Sequence, residues 1–122
     1  MSGTLRLFEI AHSRSGDKGN HANVAVIGYT AAGFEFLKDH LTAEVVATFF
    51  QALRPSRVER FLAPNVWGLN FLLYDVLAGG ASRSLRIDTQ GKSLGQAILE
   101  LELPAPSDPT PLRRPRSAEG AL

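Results

Sequence analysis

The side chains best suited to chemistry are concentrated between residues 12 and 23, His-Ser-Arg-Ser-Gly-Asp-Lys-Gly-Asn-His-Ala-Asn. Cations, a carboxylate, histidines and amides stand there around Gly16 and Gly19. Closely spaced glycines let a backbone curl so that its N–H groups converge on an anion, and Arg14 and Lys18 would add positive charge. Long polar loops between apolar strands are more often functional than not. We therefore predict that residues 12–23 form a binding loop for a polar, anionic ligand.

The other polar residues of this segment suggest more specific roles. Asn20 and Asn23 would orient a ligand without adding charge, and Asp17 would accept a proton, bind a hydroxyl or lock a neighbouring cation. The alternative is a solvated connection in which Asp17 only pairs with a cation, although such surface pairs contribute little, about 0–1 kcal/mol. The predicted ligand-binding residues are Arg14, Ser15, Gly16, Asp17, Lys18, Gly19, Asn20 and Asn23, with Asn70 and Arg83 from later in the chain.

Several familiar chemistries do not fit these residues. The chain has no cysteine, which excludes thiol catalysis, disulfides and cysteine-bound zinc. Lys18 precedes Gly19, so the spacing is not that of a phosphate-binding loop. The Gly16-Asp-Lys-Gly19 match to a nucleic-acid clamp lies between strands rather than helices. The histidines show no metal-ligand spacing, and no serine stands in a nucleophile elbow. We predict neither a metal nor a cofactor, and leave open whether the protein is an enzyme.

Composition bounds the class of protein. The 122 residues, 44% hydrophobic and 20% charged, are typical of one globular domain. Residues 1–103 hold ten Lys/Arg and ten Asp/Glu, and this neutral balance argues against nucleic acid as a partner. Neither a signal peptide nor an apolar run near the roughly 18 residues of a membrane span is visible. We expect a cytoplasmic protein that does not bind membranes.

Hydrophobic periodicity predicts the elements in the order β-β-α-β-α-β-β. The predicted strands are Leu5–Ala11, Val24–Gly28, Val58–Ala63, Ser84–Asp88 and a last strand ending at Leu103, and the predicted helices are 31–40 with 43–53, then 66–78. Thr42 fits the N-cap of the 43–53 helix, and 88–92 fits a hairpin turn.

This order predicts an α+β fold with helices on one face of a mixed or antiparallel sheet, most simply a ferredoxin-like arrangement. Several strands are apolar on both faces, so we expect a homo-oligomer. Residues 1–103 form the predicted domain. Residues 104–122 hold five of the seven prolines, and we expect a disordered tail that is dispensable for folding.

The run Arg14-Ser-Gly-Asp-Lys-Gly-Asn20, followed by Ala22-Asn-Val-Ala-Val-Ile27, resembles the C-terminal domain of the acyclic terpene utilisation protein AtuA family. Further matches follow in order: Leu41-Thr-Ala-Glu44, Val58-Glu-Arg60, Leu69-Asn-Phe71, Gly79-Gly80, Arg83-Ser-Leu-Arg86 and Gly91-Lys-Ser-Leu-Gly-Gln96. The resemblance implies a ferredoxin-like fold and a link to acyclic terpene catabolism and acyl-CoA carboxylation, with no established reaction.

Two functions are compatible with this resemblance. The first is a non-catalytic subunit or assembly module of an AtuA-like system in acyl-CoA or terpenoid catabolism, which self-assembles or joins a larger AtuA-like chain. The second is a protein that binds an acyl-CoA or another phosphorylated or carboxylated metabolite, as a binding protein or as an enzyme that uses Asp17 or Lys18 as acid or base.

Overall fold

The structure, a computed structural model, describes residues 3–76, 86–87 and 92–115. The elements in chain order are β1 (Thr4–Arg6), β2 (Ala11–Lys18), β3 (His21–Gly28), α1 (Ala31–His40), α2 (Ala43–Phe49), β4 (Val58–Ala63), β5 (Gly68–Leu73), β6 (Arg86–Ile87), β7 (Lys92–Ser93), α3 (Leu94–Ile98) and β8 (Glu102–Pro104). Single 3₁₀ turns stand at Leu7–Glu9, Gln51–Leu53, Pro64–Val66 and Thr110–Leu112. No helix of the described ranges is long and apolar enough to cross a membrane.

The principal sheet has four strands in the order β2-β3-β5-β4, and every neighbouring pair is antiparallel. Two small antiparallel pairs, β1 with β8 and β6 with β7, complete the described strands. The sheet is therefore antiparallel rather than mixed, which is one of the two arrangements that the sequence predicts.

One face of the principal sheet carries the hydrophobic core, and the three helices pack against it. Alternate residues of β3 are buried, Ala22, Val24 and Val26 among them, and their neighbours in the strand are only half-buried. This alternation is typical of a strand with one face on the core and one toward solvent. The opposite face, which we call the outer face, is covered by none of the described helices. The predicted α+β class, with helices on one face, is confirmed.

Local signals in the sequence account for the helix ends. The Thr42 hydroxyl accepts the N–H of Val45 at 3.2 Å, so its predicted N-cap role is confirmed. At α3, Ser93 and Gln96 cap each other's backbone N–H groups in a capping box. Arg60, on β4, donates to two carbonyls at the carboxyl end of α1, where a cation is favoured.

The predicted helix at 66–78 is wrong, because residues 68–73 form the strand β5. Leu69, Phe71 and Leu73 are buried against the core, while Asn70 and Leu72 lie on the outer face. A short apolar run fits both a buried strand and a helical stripe, and here pairing with β3 and β4 on both sides decides for the strand. The predicted order β-β-α-β-α-β-β is corrected at this point.

Two predicted strands are also shorter than expected. The segment Leu5–Ala11 is divided by a 3₁₀ turn, so that it contributes to both β1 and β2. The last strand is only β8, since α3 occupies residues 94–98. The pairing of β6 with β7 is that of the predicted hairpin, whose turn at 88–91 lies outside the described residues, as does most of the predicted Ser84–Asp88 strand.

The first part of the predicted disordered tail is ordered in the structure. Leu112 is buried, the Thr30 hydroxyl donates to the Pro111 carbonyl at 2.8 Å, and Arg113 forms an ion pair with Glu9 at 3.0 Å. One large apolar side chain and one ion pair thus hold a proline-rich segment that composition alone classifies as disordered. Residues 116–122 lie outside the described residues.

Candidate functional site

The predicted binding loop at 12–23 is a β-hairpin. Residues 11–18 and 21–28 pair in continuous register, with Lys18 opposite His21. Only Gly19 and Asn20 make the turn, and Gly19 has a φ of 65°, in the left-handed region that glycine adopts without strain. Gly16 lies inside the strand, opposite Asn23. Because successive N–H groups of a strand point in opposite directions, the predicted backbone nest around Gly16 is not formed.

Strand alternation separates the predicted site residues onto two faces. Arg14 and Asn23 lie on the outer face, whereas Ser15 and Asp17 belong to the face that carries the helices, opposite Val24 and Ala22. Asp17 therefore does not face the same ligand as Arg14, which argues against the predicted acid–base role of Asp17 in one site with it. Asn20 is exposed at the turn. Arg83 lies outside the described residues.

The structure does bring Arg14, Asn23 and Asn70 together. Arg14 is opposite Ala25 in β3, and Ala25 is opposite Asn70 in β5, so Arg14, Ala25 and Asn70 form one row across the outer face, and Asn23 lies two residues from Ala25 along β3 on the same face. The Asn23 amide nitrogen donates to the Asn70 side-chain oxygen at 2.8 Å. Among the described residues, no carboxylate lies within ion-pair distance of the Arg14 guanidinium. The row is thus rich in hydrogen-bond donors.

A groove with a volume of about 450 Å³ lies beside this row. Its floor and walls are mainly apolar, and its polar edge is formed by three side chains of the outer face, His12, Arg14 and Asn70. The volume is within the range of about 300–1,000 Å³ that is typical of small-molecule sites. The apolar lining comes from Ala25, Ile27, Ala63, Val66, Gly68 and Leu69.

A second polar cluster occupies the other end of the outer face. The Tyr74 hydroxyl donates to Glu59 at 2.6 Å, and the Tyr74 ring lies 4.7 Å from the His21 ring. The Arg57 guanidinium stacks on the Tyr74 ring at 4.1 Å, and the Tyr74 side chain, followed by the Glu59 carboxylate, raises the pKa of Arg57 above its usual value. The charged side chains of this cluster, Arg57 and Glu59, thus both interact with Tyr74 inside the cluster.

His21 belongs to the same cluster. Its Nδ1 accepts the backbone N–H of Asp75 at 3.0 Å, and the Asp75 carboxylate lies 3.9 Å from the same Nδ1. In the described part of the chain, no group of three or more metal-ligating side chains is placed to hold a metal ion.

The predicted ligand-binding residues do not include His12, Glu59 or Tyr74, although His12 lies within the predicted binding loop. The missing step was the assignment of β5 as a strand, since alternation then places Asn70, Leu72 and Tyr74 on one face. The sequence also contains a signal for the hairpin, because the dipeptide Gly-Asn is a favoured two-residue turn between strands of alternating hydrophobicity.

The comparison with protein families gives one match. A family model described as the AtuA ferredoxin-like domain matches residues 5–104, which is most of the chain. No curated protein and no solved structure matches the chain. The match covers the hairpin, the four-stranded sheet and all three helices, and it confirms both the predicted resemblance and the predicted ferredoxin-like fold. The chain belongs to the family of AtuA ferredoxin-like domains.

Proposed function

We propose that this protein is a non-catalytic assembly module of an AtuA-like system in acyl-CoA or terpenoid catabolism. In this proposal the module self-associates through the free edge of β4. Family membership supports the metabolic setting, and the apolar character of this edge supports the assembly role. The exposed side chains of Phe61 and Leu62 are the observation on which the proposal rests.

Among the described strands, β4 is the last of the sheet, and its second half is exposed on both faces. Phe61 is 48% and Leu62 41% exposed, although they point to opposite faces of the sheet. Val66 and Trp67, in the adjoining turn, extend the apolar surface. Edge strands of soluble proteins are usually blunted by charge, proline or a covering element. The Phe61-Leu62-Ala63 segment contains neither a charged residue nor a proline.

The other edge of the sheet differs in this respect. Strand β2 contacts α3 closely: the Ser13 hydroxyl donates to the Gly95 carbonyl, and a Cβ on Gly95 would approach the Arg14 Cα at 3.2 Å. A described helix thus packs against β2, whereas Phe61 and Leu62 in the second half of β4 stay exposed among the described residues. Antiparallel pairing of two β4 strands about a two-fold axis would present the same residues from each copy, as isologous interfaces require.

The test is sedimentation velocity on the whole protein over a wide concentration range. We expect a reversible dimer for the native chain. Leu62→Lys should weaken it by at least about tenfold, because the apolar contact of a leucine contributes roughly 1.5–3 kcal/mol and the new charges would face each other. Phe8→Lys is the matched control, since Phe8 is 52% exposed on a different surface and should leave the dimer unchanged.

Thermal unfolding of each variant separates loss of assembly from loss of folding. A native chain that stays monomeric at every concentration contradicts self-association. Equal effects of Leu62→Lys and Phe8→Lys contradict the assignment of the β4 edge. If a larger AtuA-like chain binds the monomeric native protein but not Leu62→Lys, the larger chain replaces the second copy as the partner at this edge.

A further inference from the structure

We infer that the groove on the outer face binds an aliphatic monocarboxylate. Arg14 and Asn70 hold the carboxylate, and the apolar floor around Gly68 holds the hydrocarbon chain. This site shares Ala63 and Val66 with the proposed assembly surface, but it is complete in one copy of the chain.

The polar edge of the groove consists of hydrogen-bond donors. The Asn23 amide donates to the Asn70 side-chain oxygen, and the Asn70 NH₂ group has no hydrogen-bond partner in the part of the chain that the structure describes. Arg14 adds a guanidinium that has no carboxylate partner among the described residues. Both residues line the groove. A ligand group that accepts hydrogen bonds and carries negative charge complements them, and a guanidinium binds a carboxylate through two parallel bonds.

The remainder of the groove favours hydrocarbon. Ala25, Ile27, Ala63 and Val66 line it, and Gly68 leaves its floor open. A Cβ on Gly68 would lie 3.4 Å from the Val66 side chain, 3.7 Å from Ile27 and 3.9 Å from Ala63. These are ordinary van der Waals distances, so a side chain here would fill the groove without forcing the strands apart. The absence of a side chain at position 68 is what keeps the groove available.

The charge of the site selects the ligand class. The guanidinium of Arg14 balances a single negative charge and the neutral Asn70 amide adds a hydrogen-bond donor, whereas a phosphate monoester carries up to two negative charges and would leave the second uncompensated against an apolar wall. Glu59, a carboxylate of the outer face, already accepts the Tyr74 hydroxyl and does not line the groove. An aliphatic chain with one terminal carboxylate matches both ends of the groove.

The experiment is a titration of the ¹⁵N-labelled whole protein, followed by amide chemical shifts. The probes are hexanoate, neutral hexanamide and hexyl phosphate. Hexanoate should shift the amides of Ala25, Ile27, Gly68 and Asn70 and bind more tightly than either comparator. Repeating the titration on Leu62→Lys keeps the result independent of self-association.

Variants locate the two halves of the site. Arg14→Gln should weaken hexanoate binding about tenfold, because a charge-assisted hydrogen bond is lost. Gly68→Ala should weaken binding, and Gly68→Val should weaken it further by filling the groove. Arg54→Gln is the matched control, since Arg54 is exposed away from the groove lining and should bind hexanoate like the native chain.

Several results would overturn this inference. They are an absence of saturable hexanoate binding, equal affinity for hexanoate and hexanamide, tighter binding of hexyl phosphate, or unchanged affinity in Arg14→Gln. Unchanged affinity in both folded Gly68 variants would also exclude the groove as the site.

Discussion

Tyr74 connects three side chains at the polar end of the outer face. Its hydroxyl donates to Glu59, its ring carries the Arg57 guanidinium, and its edge contacts His21. Each of these groups is at least partly exposed, so water competes with every contact. What remains is mutual orientation: the cluster keeps the Glu59 carboxylate bound to the Tyr74 hydroxyl.

Replacing Tyr74 by phenylalanine removes one hydrogen bond and retains the ring. We expect Tyr74→Phe to lower the free energy of unfolding by about 1 kcal/mol, the usual net contribution of such a bond. Urea denaturation measures the change. Tyr29→Phe is the control, because the Tyr29 ring stacks on His12 at 5.6 Å and the Tyr29 hydroxyl forms no hydrogen bond with any of the described residues. Equal losses in the two variants would contradict a specific Tyr74–Glu59 bond.

The elements that the sequence predicts best are those with a strong local signal. Helix α1 has the predicted bounds, and the Thr42 cap starts α2 as expected. Strand β5 was not predictable from its own residues, because the pattern of Leu69-Asn-Phe-Leu-Leu73 fits the apolar face of a helix as well as a strand. Only the pairing of this segment with β3 and β4 determines that it is a strand. The candidate site depended on this same choice, because Asn70 reaches Asn23 only from a strand.

The β2–β3 hairpin depends on its two-residue turn. Gly19 has a φ of 65°, a conformation that costs other residues about 1–2 kcal/mol. We expect Gly19→Ala to destabilise the protein by about that amount in urea denaturation. Gly19→Asn should cost less, since asparagine tolerates this conformation.

Gly16→Ala is the internal control for the turn. Gly16 lies three residues earlier, inside β2, it has no positive φ, and no atom lies within 4 Å of the position its Cβ would occupy. It should therefore change stability little. A Gly16→Ala variant as unstable as Gly19→Ala would contradict the assignment of the strain to the turn.

At the scale of the whole molecule, the segment after β8 closes the fold. The chain leaves the small β1–β8 sheet, crosses to α1 and buries Leu112 beside Gly33, where a Cβ would meet the Leu112 carbonyl at 3.2 Å. The Arg113–Glu9 pair then ties it to the first 3₁₀ turn. Composition predicted neither contact, because a high proline content indicates only which conformations the segment adopts by itself. It does not indicate whether another part of the chain offers a pocket for one of its side chains.

Truncation tests whether this segment belongs to the folded domain. Deleting residues 106–122 should lower the free energy of unfolding by about 1.5–3 kcal/mol, the contribution of burying one leucine. Deleting residues 116–122 leaves the described contacts in place and should change the unfolding midpoint little. If the longer deletion is as stable as the native chain, the segment is dispensable for folding after all.

Trp67 is the single tryptophan of the chain, and its position gives the molecule a built-in optical reporter. It stands in a left-handed conformation, with a φ of 57°, between Val66 and Gly68, two residues that line the groove, and its side chain is 40% exposed. Its emission therefore originates where the β4 edge meets the groove. Desolvation at that junction changes the wavelength of the whole protein's fluorescence, so native material reports on this surface without an attached dye.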